Sequence, residues 1–133
     1  MTLEQYEDGE RVSENWDTVF KSLSAEPRRQ LIVSLLDTPV GQSVPLPESA
    51  AMSDVHSDPE GLRIKLYHIH LPVLEDNGYV TWEESPLIAS HGPRFDEVAV
   101  VISALHSNAA DIPDSLVTGC QRLEQEQQDG YSS

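Results

Sequence analysis

Residues 67 to 80, YHIHLPVLEDNGYV, set two histidines and a proline among branched apolar residues directly ahead of an Asn-Gly-Tyr-Val turn. As a β-strand, the segment would put His68 and His70 on one face, the arrangement a metal pair needs. As an α-helix, with successive residues turned by about 100°, it would hold them about 200° apart. The longer stretch from Pro59 decides between the two. Leu62, Leu66, Ile69 and Val73 fall on one helical stripe, and Ile64, Tyr67, Leu71 and Leu74 fall on a second. A span of about 21 residues far exceeds an ordinary strand, and two stripes separated by a polar gap suit a helix packed on two sides. The helix reading parts the histidines, so neither a metal site nor a cofactor is expected. The polar gap holds Lys65, His68, Pro72, Glu75 and Asp76 and is expected to face solvent or a partner. Pro72 removes the amide that would bond to the carbonyl of His68, which predicts a kink there.

Upstream, SENWDTVFKSLS (13–24) repeats apolar residues at Trp16, Val19, Phe20 and Leu23, the pattern of an amphipathic helix with Ser13 as its cap. SAEPRRQLIVSLLDTPVG (24–41) predicts a second helix, with Pro27 in its first turn, Leu31, Ile32, Leu35 and Leu36 on one side, and Pro39 and Gly41 beyond its end. LPESAAMS (46–53) predicts a short third helix with Pro47 in its first turn. Downstream, Asn77-Gly78 stops the long helix. YVTW (79–82) and LIAS (87–90) then form a hairpin through Glu83-Glu84-Ser85-Pro86. RFDEVAVVISALHSNA (94–109) carries Phe95, Val98, Ile102 and Leu105 at helical spacing, and DIPDSLVTGCQRLEQ (111–125) sets Leu116, Val117, Cys120 and Leu123 on one last stripe. The expected fold is mainly α with a small β-hairpin.

At 133 residues the chain is long enough for one domain with an ordinary core. The expected division is a flexible acidic N-terminus (1–14), a folded domain (15–109), a C-terminal helix acting as a dimerisation element (110–123) and a flexible tail (124–133). No apolar run approaches the roughly 18 residues of a membrane span, and Met1-Thr2-Leu3-Glu4 does not begin a signal peptide, so a cytoplasmic location is expected. Cys120 is the single cysteine, which excludes an internal disulfide and is expected to pack as a small apolar residue. Against 23 Asp and Glu stand 8 Lys and Arg, a formal net charge of −15. The acids are scattered along the whole chain. That distribution favours a cytoplasm at molar salt, where self-repulsion is screened to about 3 Å, over a stripe imitating the phosphates of DNA. There is no Gly-rich phosphate loop and no catalytic triad, so an enzyme is not expected.

FKSLSAEPRRQLIVSLLD (20–37) resembles the opening helix of ArsR-type winged-helix repressors. HLPVLEDNGYV (70–80) is similar to the end of their recognition helix and the start of their wing, matched by His70, Leu71, Leu74, Gly78, Tyr79 and Val80. The nearer likeness is to small haloarchaeal proteins with a winged-helix-like domain, over about residues 16 to 92. The resemblance implies a winged helix-turn-helix with added C-terminal helices, a DNA-binding transcriptional regulator of a salt-adapted cytoplasm. Its recognition helix, about residues 61 to 76, would enter a major groove of double-stranded DNA with Lys65 and His68 toward base edges and Arg63, Arg28 and Arg29 toward phosphates. The cysteine pair of metal-sensing members has no counterpart, so metal sensing is not implied. Glu83 and Glu84 at the hairpin tip would repel phosphate, which favours an alternative: a winged-helix protein-interaction module that binds through the acidic wing or the C-terminal helices. Surplus apolar stripes on Trp16 to Leu23 and Leu116 to Leu123 predict a homodimer.

Overall fold

The computed structural model describes residues 3–51, 58–117 and 121–131; the side chains of 3–8, 121–122 and 129–131 lie outside that description. The chain is mostly helical with one small antiparallel sheet. Helix α1 spans Leu3–Ser22. It therefore starts well before Ser13 and takes in most of the segment expected to be flexible. EQYEDGERVSEN is rich in strong helix formers, and propensity of this kind leaves no apolar stripe by which to find it. Helix α2 (Glu26–Leu36) has Pro27 in its first turn, as the sequence predicts, and buries Leu31, Ile32 and Leu35 completely. Its C-terminal end is closed by the ring of His91, whose Nε2 donates to the carbonyl of Leu35 at 2.6 Å and whose face stacks on Phe95 at 4.0 Å.

Strand β1 (Ser43–Pro45) has no signature in the sequence, because it buries only Val44 and ends on a proline. The helix expected over 46–53 shrinks to a single 3-10 turn, Glu48–Ala50, and Met52 and Ser53 fall outside the described residues. Three segments then run on as one helical rod: α3 (Pro59–Lys65), a π turn (Leu66–His70) and α4 (Leu71–Asp76). Asp58 caps the start, accepting the amide of Gly61 at 3.1 Å. The disturbance expected at Pro72 takes the form of the π turn, in which the amide of Leu71 reaches back to the carbonyl of Leu66. Widening the helix just before a residue that has no amide to give lets the chain pass the proline without breaking. The wide turn also overturns the expectation of packing on two sides. Leu66, His70, Leu71 and Leu74 are buried, whereas Ile64, Tyr67 and Ile69 are exposed.

A Schellman motif ends α4: Tyr79 donates to the carbonyl of Leu74, Gly78 donates to that of Glu75, and Gly78 adopts a φ of 78°. The expected hairpin follows as β2 (Val80–Glu83) and β3 (Ile88–His91), with Val80 opposite His91 and Glu83 opposite Ile88. β1 pairs with the other side of β3, giving the order β1-β3-β2. Helix α5 (Phe95–Ser107) buries Phe95, Val98 and Ile102.

The first part of the C-terminal helix expected over 110–123 is replaced by two 3-10 turns, Ala109–Asp111 and Asp114–Leu116, separated by Pro113, which cannot donate into a continuing helix. Residues 118–120, Cys120 among them, lie outside the described residues. Helix α6 (Gln121–Tyr131) occupies the stretch expected to be a flexible tail. Polar contacts hold it: Gln127 donates to the carbonyls of Ala109 and Ile112, and His106 Nδ1 meets Glu126 Oε2 at 2.7 Å. No helix of the described residues is long and apolar enough to cross a membrane.

Two glycines test this architecture in opposite senses. A Cβ on Gly92 would stand 2.5 Å from the carbonyl oxygen of Gly78, where the hairpin closes on the end of α4, while one on Gly9 in α1 would meet nothing. Gly92→Ala should destabilise by about 1–3 kcal/mol, and Gly9→Ala should stabilise by about 0.5–1 kcal/mol through helix propensity. Urea midpoints would check both, and a Gly9→Ala chain no more stable than wild type would argue against an ordered α1.

Candidate functional site

The outer face of the α3–α4 rod carries Arg63, Ile64, Lys65, Tyr67, His68 and Ile69, all exposed. Three hydrogen-bond donors thus alternate with three large apolar side chains along little more than two turns. Beside this face runs a groove of about 320 Å³, formed with the hairpin tip and lined by Glu60, Arg63, Ile64, Tyr67, His68, Glu84 and Leu87. Tyr67 is held edge-on between His68 (4.9 Å between ring centroids) and Trp82 of β2 (5.6 Å). Packing of that kind fixes the tyrosine ring, so the face presents a shaped surface. Trp82 Nε1 is buried without a hydrogen-bond partner.

The π turn sends His68 outward and His70 inward. His70 is buried, and its Nδ1 lies 2.9 Å from Nη1 of Arg28. A guanidinium only donates, so His70 Nδ1 accepts and the ring is neutral with its proton on Nε2. Arg28 also donates from Nε to the carbonyl of Ser22 at 2.6 Å and from Nη2 to that of Lys21 at 3.4 Å. These are carbonyls of the last turn of α1, which have no partner inside the helix. Burial, and then the neighbouring Arg29, lower the pKa of Arg28; burial, and then Arg28 and Lys65, lower that of His70.

The five residues assigned from sequence therefore divide. Arg28, expected on a phosphate, is enclosed, because its guanidinium reaches the end of α1 and a buried imidazole together. Arg29 is half-buried, with Nη1 on the carbonyl of Leu23 at 2.7 Å, so it too braces the α1–α2 turn. Arg63, Lys65 and His68 are all exposed, and Arg63 and His68 share the groove against the hairpin, whose lining does not include Lys65. Sequence reasoning missed the exposed Ile64, Tyr67 and Ile69. The signal was present, since two apolar stripes are more than one packed face can bury.

Arg94, just beyond the hairpin, is tied to Glu97 through Nε and Nη2 at 3.0 and 2.9 Å and to Asn15 Oδ1 at 3.0 Å. Hydrogen bonding to Glu97 raises its pKa. Among the described residues, no group of three His, Cys, Asp or Glu is placed to hold a metal ion. Comparison with known proteins returned no match to a protein-family model, to a curated protein or to a solved structure.

The buried pair has a pH signature. Because the folded pKa of His70 lies below its ordinary 6.5, the unfolded chain binds a proton that the folded chain refuses. That contribution to stability is complete above about pH 6.5 and is lost as pH falls toward the folded value. His70→Gln, which offers Arg28 an uncharged acceptor, should flatten this part of the profile. His70→Leu should cost about 1–3 kcal/mol at pH 7.5 by stranding the guanidinium. Denaturant titrations from pH 8 to 5 on the three proteins would measure both effects; a His70→Gln profile parallel to wild type would count against the assignment.

Proposed function

We propose that the chain is a winged-helix DNA-binding protein that regulates transcription in a salt-adapted cytoplasm, a binding protein and not an enzyme. The order helix, strand, helix, hairpin from α2 to β3, together with the sheet order β1-β3-β2, supports the winged-helix reading. The observation that carries the DNA reading is the exposed side of α3–α4, where Arg63 and His68 line a groove with Ile64 and Tyr67 against the two-stranded hairpin and Lys65 is exposed on the same rod. A helix is the right width for a major groove about 12 Å across. In that pose Lys65 and His68 donate to base edges, Arg63 meets a phosphate, and Ile64 and Tyr67 provide the apolar contact that thymine methyl groups accept.

The groove also has Glu60 and Glu84 on its rim, and this favours a second reading in which the same face takes a peptide bearing apolar and basic residues. Salt separates the two. An ordinary basic DNA binder loses affinity steeply as salt rises through counterion release. A chain of net charge −15 is repelled from DNA at low salt, and screening removes that repulsion. Binding to its own upstream region should show a shallow or inverted salt dependence. Lys65→Ala and Arg63→Ala should each weaken it by about 1–3 kcal/mol, and Glu83→Lys should strengthen it, with a benefit that shrinks at high salt. Fluorescence anisotropy from about 0.2 M to molar KCl, where screening lengths run from under 10 Å to about 3 Å, would measure all of these. No binding at any salt overturns the DNA reading in favour of the peptide one.

A further inference from the structure

A second apolar exposure among the described residues lies away from the α3–α4 face. Val12, Trp16 and Phe20 repeat every fourth residue along the outside of α1, with 55%, 51% and 59% of their surface exposed, and Val100 of α5 lies alongside at 63%. The patch is continuous. Trp16 and Phe20 stack with ring centroids 5.7 Å apart, and Val12, Trp16 and Val100 line one groove of about 230 Å³ with Val19 at its floor and Asn15 and Glu97 at its rim. Half-exposed side chains of this size amount together to about 400 Å² of apolar surface, the upper range of what a monomer leaves uncovered. That is also about half of the roughly 800 Å² that each partner buries in a stable interface.

The shape of the patch says what covers it. An aromatic ridge ending in Phe20 lies beside a groove beginning at Val12, and positions 12 and 20 are symmetric about Trp16. A two-fold axis through Trp16 that runs two copies of α1 antiparallel therefore sets each Phe20 opposite the other copy's Val12, and the groove there has room for a phenyl ring. A surface whose ridge fits its own groove under two-fold rotation is what an isologous dimer requires. We infer that this face binds a second copy of the chain through antiparallel α1 helices crossing at Trp16, with Phe20 of each copy seated in the other's groove between Val12 and Val100. The dimer does not depend on the DNA reading. It narrows the sequence expectation of a dimer through the 16–23 or the 116–123 stripe to the first of these, with Leu23 and Val117 spent on the molecule's own interior and α5 supplying the second wall.

Sedimentation equilibrium at micromolar protein tests the pairing. Wild type should be dimeric, and the association should tighten from about 0.2 M to molar KCl as repulsion between two acidic copies is screened. Phe20→Glu and Val100→Glu should each weaken it at least tenfold while leaving the circular dichroism spectrum unchanged, since both side chains are exposed. In a Cys120→Ser background, Trp16→Cys should cross-link to itself, and Val12→Cys should cross-link to Phe20→Cys but not to itself. A monomer at every salt overturns the inference and leaves the face to a different partner. A dimer indifferent to both glutamate variants, or self-cross-linking of Val12→Cys, overturns it equally.

Discussion

One guanidinium carries the arrangement of this molecule. Arg28 sits where the end of α1, the start of α2 and the middle of the α3–α4 rod converge, and its nitrogens reach the carbonyls of Ser22 and Lys21 and the imidazole of His70. The carbonyl of Ser22 and the ring of His70 would otherwise be polar groups facing an apolar interior, at a cost of about 1–3 kcal/mol apiece, whereas the carbonyl of Lys21 also accepts from the amide and hydroxyl of Ser24. A lysine could not replace it, because only a planar fork of fixed N–H directions reaches a helix end and a ring at once. Asn77 closes the same junction from the other end of the rod, donating to Ser22 Oγ at 3.4 Å and to the carbonyl of Val73 at 2.9 Å. The tilt of the rod against the first two helices is thus set by directional bonds, with the leucines of α2 and α4 filling the space between them.

The π turn is the complement of that junction. Pro72 forbids the amide that a regular helix would need one turn on, and the wide turn that admits it rotates His70 inward to Arg28 and His68 outward to solvent. Had the helix stayed regular, the two apolar stripes that begin at Leu62 and Ile64 would have flanked the polar gap evenly. The rod instead packs with a single buried edge, and Ile64, Tyr67 and Ile69 are left among the cations. A proline that looks like a defect in the sequence accounts for an outward face that is neither plainly polar nor plainly apolar.

Much of the fold was legible where burial writes a period into the sequence. Helix α2, the long rod, the hairpin and α5 all bury stripes or alternating residues, and Asn77-Gly78 marks a turn by the positive φ it requires. Elements held by other means escaped. The first half of α1 and all of α6 rest on helix propensity and on polar ties such as those of Gln127 and His106, and β1 buries one residue. Of the site, the exposure of Lys65 and His68 could be read from helical angle. Arg28 could not, because an arginine one turn into an amphipathic helix looks like a surface charge until the carbonyls of another helix are seen to end beside it.

Two exposed faces of the described residues lie on either side of this same junction. The stripe of Val12, Trp16 and Phe20 lies on α1, the mixed face of Ile64, Lys65 and His68 lies on the rod, and between them stands the short path from the carbonyl of Ser22 through Arg28 to His70. Hydrogen bonds weaken steeply with misalignment, so a tilt of α1 against the rod would weaken the bonds of Arg28 to Ser22 and His70. On the proposed DNA reading, a protein with so few cations gains from a face that its own buried arginine orders before binding, because less binding energy is then spent on ordering it.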